Sequence, residues 1–250
     1  MKYIIANWKL YLSPSQSVAL AKKLVADYKN GQEARLVLCP SFDALGEVGK
    51  IIKISNFNLG AQDVFWEERG AFTGEESINS LKSLGCKFVI VGHSERRRLG
   101  ETDEIIAKKL ITTAVAGLTP VLCVGETKDE LDAGTKEEVI KRQLIIALSG
   151  LKSKSHKLKE LIIAYEPVWA IGTGIPETPK NARSSHRFIR ELLDKNFLKF
   201  SKVTHIIYGG SVNSENIHGF LKFSEIDGAL VGGASIKATE FMKIIKTLGA

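Results

Sequence analysis

The chain has 250 residues, 44% of them hydrophobic, and a formal net charge of +7. That length suits one large or two small globular domains, and no apolar run approaches the roughly 20 residues a membrane span needs. The positive charges are scattered, and their densest cluster, residues 151–160, has no aromatic residue and reads as a solvated helix end or loop. Neither a nucleic acid nor a membrane is expected as a partner; anionic metabolites, phosphates included, suit the charge better.

The first apolar run, residues 2–8, reads as a strand beginning almost at Met1. It is too short for a secretory signal and no cleavage site follows, so a cytoplasmic location is expected. Ser13 then caps a helix with Pro14 in its first turn, and Val18, Ala21, Val25 and Tyr28 share one face. Apolar runs recur at 35–40, 57–62 and 88–93. Thr102 opens a helix with Asp103 and Glu104 in its first turn, where the dipole favours acids. After a run at 120–125, Thr135 and Glu138 stand at capping-box spacing. A run at 161–167 leads to a second cap-then-proline signal at Thr178 and Pro179, with Ala182, Ser185, Ile189 and Leu192 as the inner stripe. Runs at 205–210 and 228–233 complete the set.

The runs are rich in Ile, Val and Leu and mostly do not alternate with polar residues, as expected of parallel strands covered on both faces. They number eight, each about one βα unit from the next, with no linker or composition break between them. Eight units in about 250 residues predict a single (β/α)8 barrel domain over residues 1–250. An open doubly wound sheet is the alternative; it usually shows GxGxxG after its first strand, and "ANWKLYLS" has none. Cys39, Cys86 and Cys123 form neither a disulfide framework nor a zinc motif. Cys39 and Cys123 read as small buried residues of strands.

Polar residues fall at the strand ends. Asn7 and Lys9 follow the first run, Gln62 ends the third, His93 the fourth, Glu126 follows the fifth, Glu166 ends the sixth, and GG pairs at 209–210 and 232–233 end the last two. A single strand-end His or Lys is usually structural or solvated. In a barrel, however, all of these gather at the C-terminal mouth, where barrel enzymes keep their sites, with phosphate after strands seven and eight. Paired glycines let backbone N–H groups approach an anion, though they also serve plain turns. His93 precedes "SERRR", which can open a short helix whose dipole favours a neutral ring. Lys9 offers a fixed positive charge for an oxyanion or a phosphate. Glu166 is the natural base: Pro167 keeps it extended, and the apolar segment 168–172 can cover it and exclude water.

The segments "NWK", "GAFTGE", "VGHSERR", "GETDE", "AYEPVWAIGTG", "YGGSV" and "VGGAS" stand in the order seen in the triosephosphate isomerase family, which the chain resembles from Asn7 to about Ser235. The resemblance implies interconversion of dihydroxyacetone phosphate and glyceraldehyde 3-phosphate through an enediolate, in glycolysis or gluconeogenesis, with no metal and no organic cofactor. It implies Glu166 as catalytic base and His93 as electrophile. Asn7 and Lys9 would bind substrate and stabilise charge, with Glu95 supporting Lys9. Gly172, Ser211, Gly232 and Gly233 would hold the phosphate, and Cys123 and Glu126 would stand behind the reacting groups. The 63–77 segment resembles a loop that enters a neighbouring subunit, Thr73 near its tip, which implies a homodimer. Three positions depart from the family pattern: Tyr11 and Asp63, where Asn is common, and Pro176 at the second hinge of the lid. A buried Asp63 needs a partner or a proton.

Overall fold

A computed structural model describes residues 1–28, 34–151 and 158–249. Residues 152–157, the core of the basic cluster, lie outside the described residues. Eight strands follow one another: β1 (Lys2–Asn7), β2 (Ala34–Cys39), β3 (Phe57–Ala61), β4 (Phe88–Val91), β5 (Thr119–Val124), β6 (Leu161–Tyr165), β7 (Thr204–Tyr208) and β8 (Gly228–Val231). Each pairs in parallel with the next, and β8 closes on β1 through Tyr3–Gly228 to Ala6–Val231. The fold is the expected (β/α)8 barrel, so the doubly wound alternative is set aside.

Both faces of the strands are covered, which explains their unbroken apolar runs. Tyr3, Ile5, Val37, Cys39, Ile90, Cys123, Ile162 and Leu230 form one cluster. Their strand neighbours Ile4, Ala6, Leu36, Leu38, Val89 and Ile163 join a second cluster that includes the helices. This is the period-two rule applied to a wall with a core on each side. Space inside is tight: a β-carbon on Gly60 would lie 2.5 Å from Cys39 Sγ.

The principal helices between strands are α1 (Pro14–Asp27), α2 (Leu45–Ile52), α3 (Ile78–Ser83), α4 (Ser94–Arg98), α5 (Asp103–Val115), α6 (Lys128–Asp132), α7 (Lys136–Ser149), α8 (Pro179–Asn196), α9 (Leu198–Ser201), α10 (Ile217–Leu221) and α11 (Ala238–Lys246). The caps at Ser13, Thr102 and Thr178 form as expected. Two expectations are corrected. The buried stripe of α1 is Ser17, Leu20, Ala21 and Leu24, with Val25 and Tyr28 only partly buried at its margin; the small Ser17 is tolerated inside, and the two leucines set the centre of the face. Thr135 makes no cap to the following helix, because its hydroxyl donates to Glu130 O instead. The capping box belongs to α6, between Thr127 and Glu130.

Asn7 ends the β1 ladder, and the other polar residues of the mouth come after their strands. His93, Gln62, Glu166, Gly209 and Gly232 lie just beyond the last strand residues, where the chain leaves the wall and turns over the mouth.

Candidate active site

Asn7, Lys9, His93, Glu166, Gly172, Ser211, Gly232 and Gly233, from five strand ends, line one cavity of about 280 Å³. Glu95 stands behind Lys9 and not in the cavity wall. A larger hollow of about 620 Å³ lies between the 63–77 loop and α5. Its charged groups, Glu67, Glu68, Arg69 and Lys82, are of mixed sign with no reactive constellation, so chemistry and not size singles out the mouth.

Glu166 is 2% exposed. Its backbone N–H donates to Val124 O at 2.7 Å, which fixes the stem of the side chain to β5. Oε2 accepts from Ser94 N at 3.0 Å. Oε1 lies 3.2 Å from His93 Nε2 but out of line for a hydrogen bond, and it has no donor. A buried carboxylate oxygen without a donor is costly to keep and is free to accept a proton from something else. The room for this side chain comes from Gly209, where a β-carbon would meet Glu166 Cγ at 2.8 Å, and the room for its backbone from Gly125, where one would meet Glu166 O at 1.7 Å. The expectation that Gly209 frees its N–H for an anion is corrected: that N–H donates to Tyr165 O at 2.8 Å.

His93 is the N-cap of α4, and its Nδ1 accepts from Glu95 N at 3.2 Å. An accepting Nδ1 carries no proton, so the neutral ring holds its hydrogen on Nε2, facing the cavity. Lys9 has a φ of 50°, in the left-handed region that non-glycine residues seldom occupy. Asn7 Oδ1 accepts from Lys9 N at 3.1 Å and Gln62 Nε2 donates to Lys9 O at 2.9 Å, which hold it there. Its ammonium meets Glu95 Oε1 at 2.7 Å. Burial pushes the Glu95 carboxyl up, but the Lys9 hydrogen bond and the charges of Lys9 and Arg98 outweigh it, and the group sits below its usual value. The Glu95 carboxyl is therefore ionised at neutral pH.

The segment after Pro167 forms a single 3-10 turn, Val168–Ala170, then an exposed stretch with Gly172 and Gly174 at positive φ. Glu126 fastens its start: Trp169 Nε1 donates to Oε1 at 3.0 Å, Val168 N to the backbone oxygen at 2.9 Å, and Tyr165 Oη to both carboxylate oxygens. Burial raises the Glu126 carboxyl despite these bonds. The far end is fastened by Glu177, whose N–H donates to Tyr208 Oη at 3.1 Å and whose carboxylate accepts from Thr178 N and Asn181 Nδ2. Sequence reading missed Glu177 and Tyr208 as anchors. The one available signal was an acid directly ahead of the Thr178 cap. Cys123 is fully buried, and burial, then the Glu166 carboxylate, raise its thiol well above the ordinary value, so it stays protonated beside the base. Around Gly232 the turn is closed by Ser235, whose N and Oγ both donate to Gly232 O. Among the described residues no His, Cys, Asp and Glu cluster has the form of a metal site.

A barrel whose mouth gathers a buried carboxylate, a neutral imidazole, a lysine and glycine turns after β7 and β8 defines a proton-transfer enzyme for small anionic substrates. Comparison with known proteins narrows the class. The model of the family described as triosephosphate isomerase matches residues 2–248. Curated triosephosphate isomerases from Aquifex aeolicus and Dictyoglomus thermophilum are each 43% identical to the chain, covering 98% of it and 98% and 99% of their own lengths. The one from Geotalea uraniireducens is 45% identical over 97% of both chains. The chain belongs to the triosephosphate isomerase family. It is an intramolecular aldose–ketose isomerase.

Proposed function

We propose that the chain acts as one barrel domain over residues 1–250, interconverting dihydroxyacetone phosphate and glyceraldehyde 3-phosphate with Glu166 as the proton carrier. The observation that carries the assignment is the donor-free Oε1 of Glu166, buried at the cavity wall 3.2 Å from His93 Nε2. Oε1 takes the proton from the carbon next to the carbonyl. The electron pair moves to the carbonyl oxygen, forming an enediolate. His93 Nε2–H donates to that oxygen, and the Lys9 ammonium and Asn7 side chain stabilise its charge. The ring then exchanges protons between the two oxygens, and Glu166 returns its proton to the neighbouring carbon. Gly172, Ser211, Gly232 and Gly233 receive the phosphate. The apolar turn after Pro167 keeps water out, because a wet enediolate phosphate would expel phosphate instead of completing the isomerisation. The family is a standard example of such a lid.

The homodimer belongs to the same reading. Leu10 and Tyr11 after β1, Phe42 after β2, Phe72 after β3 and Leu99 after β4 are exposed apolar residues on successive strand ends. Thr73 at the tip of the 63–77 loop is exposed beside them. A second copy docked on this half of the rim covers them. No helix among the described residues is long and apolar enough to cross a membrane, and a cytoplasmic location fits a sugar-phosphate isomerase.

The test is isomerase activity on glyceraldehyde 3-phosphate for wild type and Glu166→Gln in parallel. The variant should lose at least about 100-fold in kcat. Full activity in the variant overturns the assignment of the base.

A further inference from the structure

Asp63 leaves the end of β3 with its carboxylate turned away from the cavity. It is 7% exposed. Both oxygens accept from Lys109 Nζ of α5, at 2.8 and 2.7 Å, and Arg96 Nε of α4 lies 3.1 Å from Oδ2. Lys109 and Arg96 also share Glu101 Oε1, at 2.5 and 2.7 Å. The result is a quartet of two acids and two bases, buried but for the partly exposed Arg96, drawn from β3, α4, α5 and the turn between the helices. Such clusters are costly to desolvate and demand good geometry.

Two members of the quartet stand one residue from the groups that grip Lys9. Gln62 precedes Asp63, and its Nε2 holds Lys9 O at 2.9 Å and Cys39 O at 3.0 Å. Glu95 precedes Arg96, and its Oε1 holds the Lys9 ammonium at 2.7 Å. The strained lysine is thus held at its backbone from β3 and at its tip from α4, and the quartet ties β3 to α4. A plain structural ion pair elsewhere on the barrel would have no such reach.

We propose that Asp63 is a positioning residue for Lys9: its ionised carboxylate clamps the end of β3 to α4, fixing both grips on the lysine, and its protonation releases the clamp. The inference rests on the placement of Lys9 in the active site. The groups facing Asp63 are Lys109 from α5, Arg96 from α4 and Glu101 from the turn, with Glu75 of the 63–77 loop acting on Arg96. Burial raises the Asp63 carboxyl, and Glu101 adds to the rise, against the pull of Lys109 and Arg96. The clamp is therefore lost in milder acid than an exposed aspartate would need.

The experiment compares kcat/KM of wild type and Asp63→Asn from mildly alkaline to mildly acidic pH, with melting temperatures. Titrations common to both proteins, that of the substrate phosphate among them, cancel in the ratio. The expected ratio is about 10 at alkaline pH, less than the about 100-fold that a 1 Å misplacement can cost. It should converge on one as Asp63 takes up its proton. A ratio near one throughout, or a loss that does not change with pH, overturns the proposal. Where Asp63→Asn does not fold, NMR of the wild type decides: the Asp63 carboxyl carbon and the Lys9 ammonium nitrogen should titrate with a shared midpoint, and independent midpoints overturn it. Lys9→Met, assayed alongside, separates the two readings, since full activity there removes Lys9 from the site whatever Asp63→Asn does.

Discussion

Gly209 and Glu166 interlock: a β-carbon at position 209 would lie 2.8 Å from Glu166 Cγ and 3.2 Å from Tyr165 O. The base has its place because the residue beside it on the next strand end has no side chain. Gly209→Ala must therefore push the carboxylate or part β6 from β7. Overpacking of this kind costs about 1–3 kcal/mol of stability. Turnover should fall about 10- to 100-fold, because the base is displaced. Denaturant melts and steady-state kinetics on the same preparation check both; an unaltered kcat would show that Glu166 has slack.

Glu166→Asp keeps the charge and shortens the reach by one methylene. Substrate binding through Lys9, Ser211 and the glycine turns is untouched, whereas proton abstraction needs the full length. kcat should fall by about 100-fold or more while KM changes only a few-fold. A loss confined to KM would mean that Glu166 binds and does not react.

Pro176 sits between exposed Ile175 and buried Glu177, the far anchor of the lid. Its ring fixes one dihedral where the lid must swing. Pro176→Ala should change turnover and product inhibition, since lid motion commonly limits release, while leaving the Glu177–Tyr208 bond in place. If both quantities stay at the wild-type values, the hinge lies elsewhere.

His186 lies wholly inside α8, its Nδ1 2.7 Å from Ala182 O, and burial pushes its pKa from 6.5 to about 4. Between those values the unfolded chain binds a proton that the folded chain refuses. Stability therefore falls as pH drops through this window and levels off below it. The loss is about 3 kcal/mol at full extent. Urea melts across the window should show that slope, and a well-folded His186→Gln should reduce it.

Much of this was legible in the chain. Eight unbroken apolar runs announced strands with two covered faces, and polar residues at their ends announced a shared mouth. Helix caps at Ser13, Thr102 and Thr178 were local and readable. The failures have physical causes. The Thr135 cap was displaced by a competing acceptor, Glu130 O, one helix earlier. The face of α1 was misplaced because a buried Ser17 hides the stripe. Gly209 looked like an anion donor because its N–H partner, Tyr165 O, is on another strand.

The sequence by itself determined the barrel, the family and which residue types stand at the strand ends, because periodicity, caps and short motifs are written in neighbouring residues. Only the tertiary structure decided which oxygen of Glu166 lacks a donor, which nitrogen of His93 carries the proton, and what holds Lys9 in a strained conformation. It alone joined Asp63 to Lys109, Glu101 and Arg96, and Tyr208 to Glu177. These pairings bring together atoms from separate βα units, and their distances are set by the closure of the barrel, which no local stretch of chain encodes.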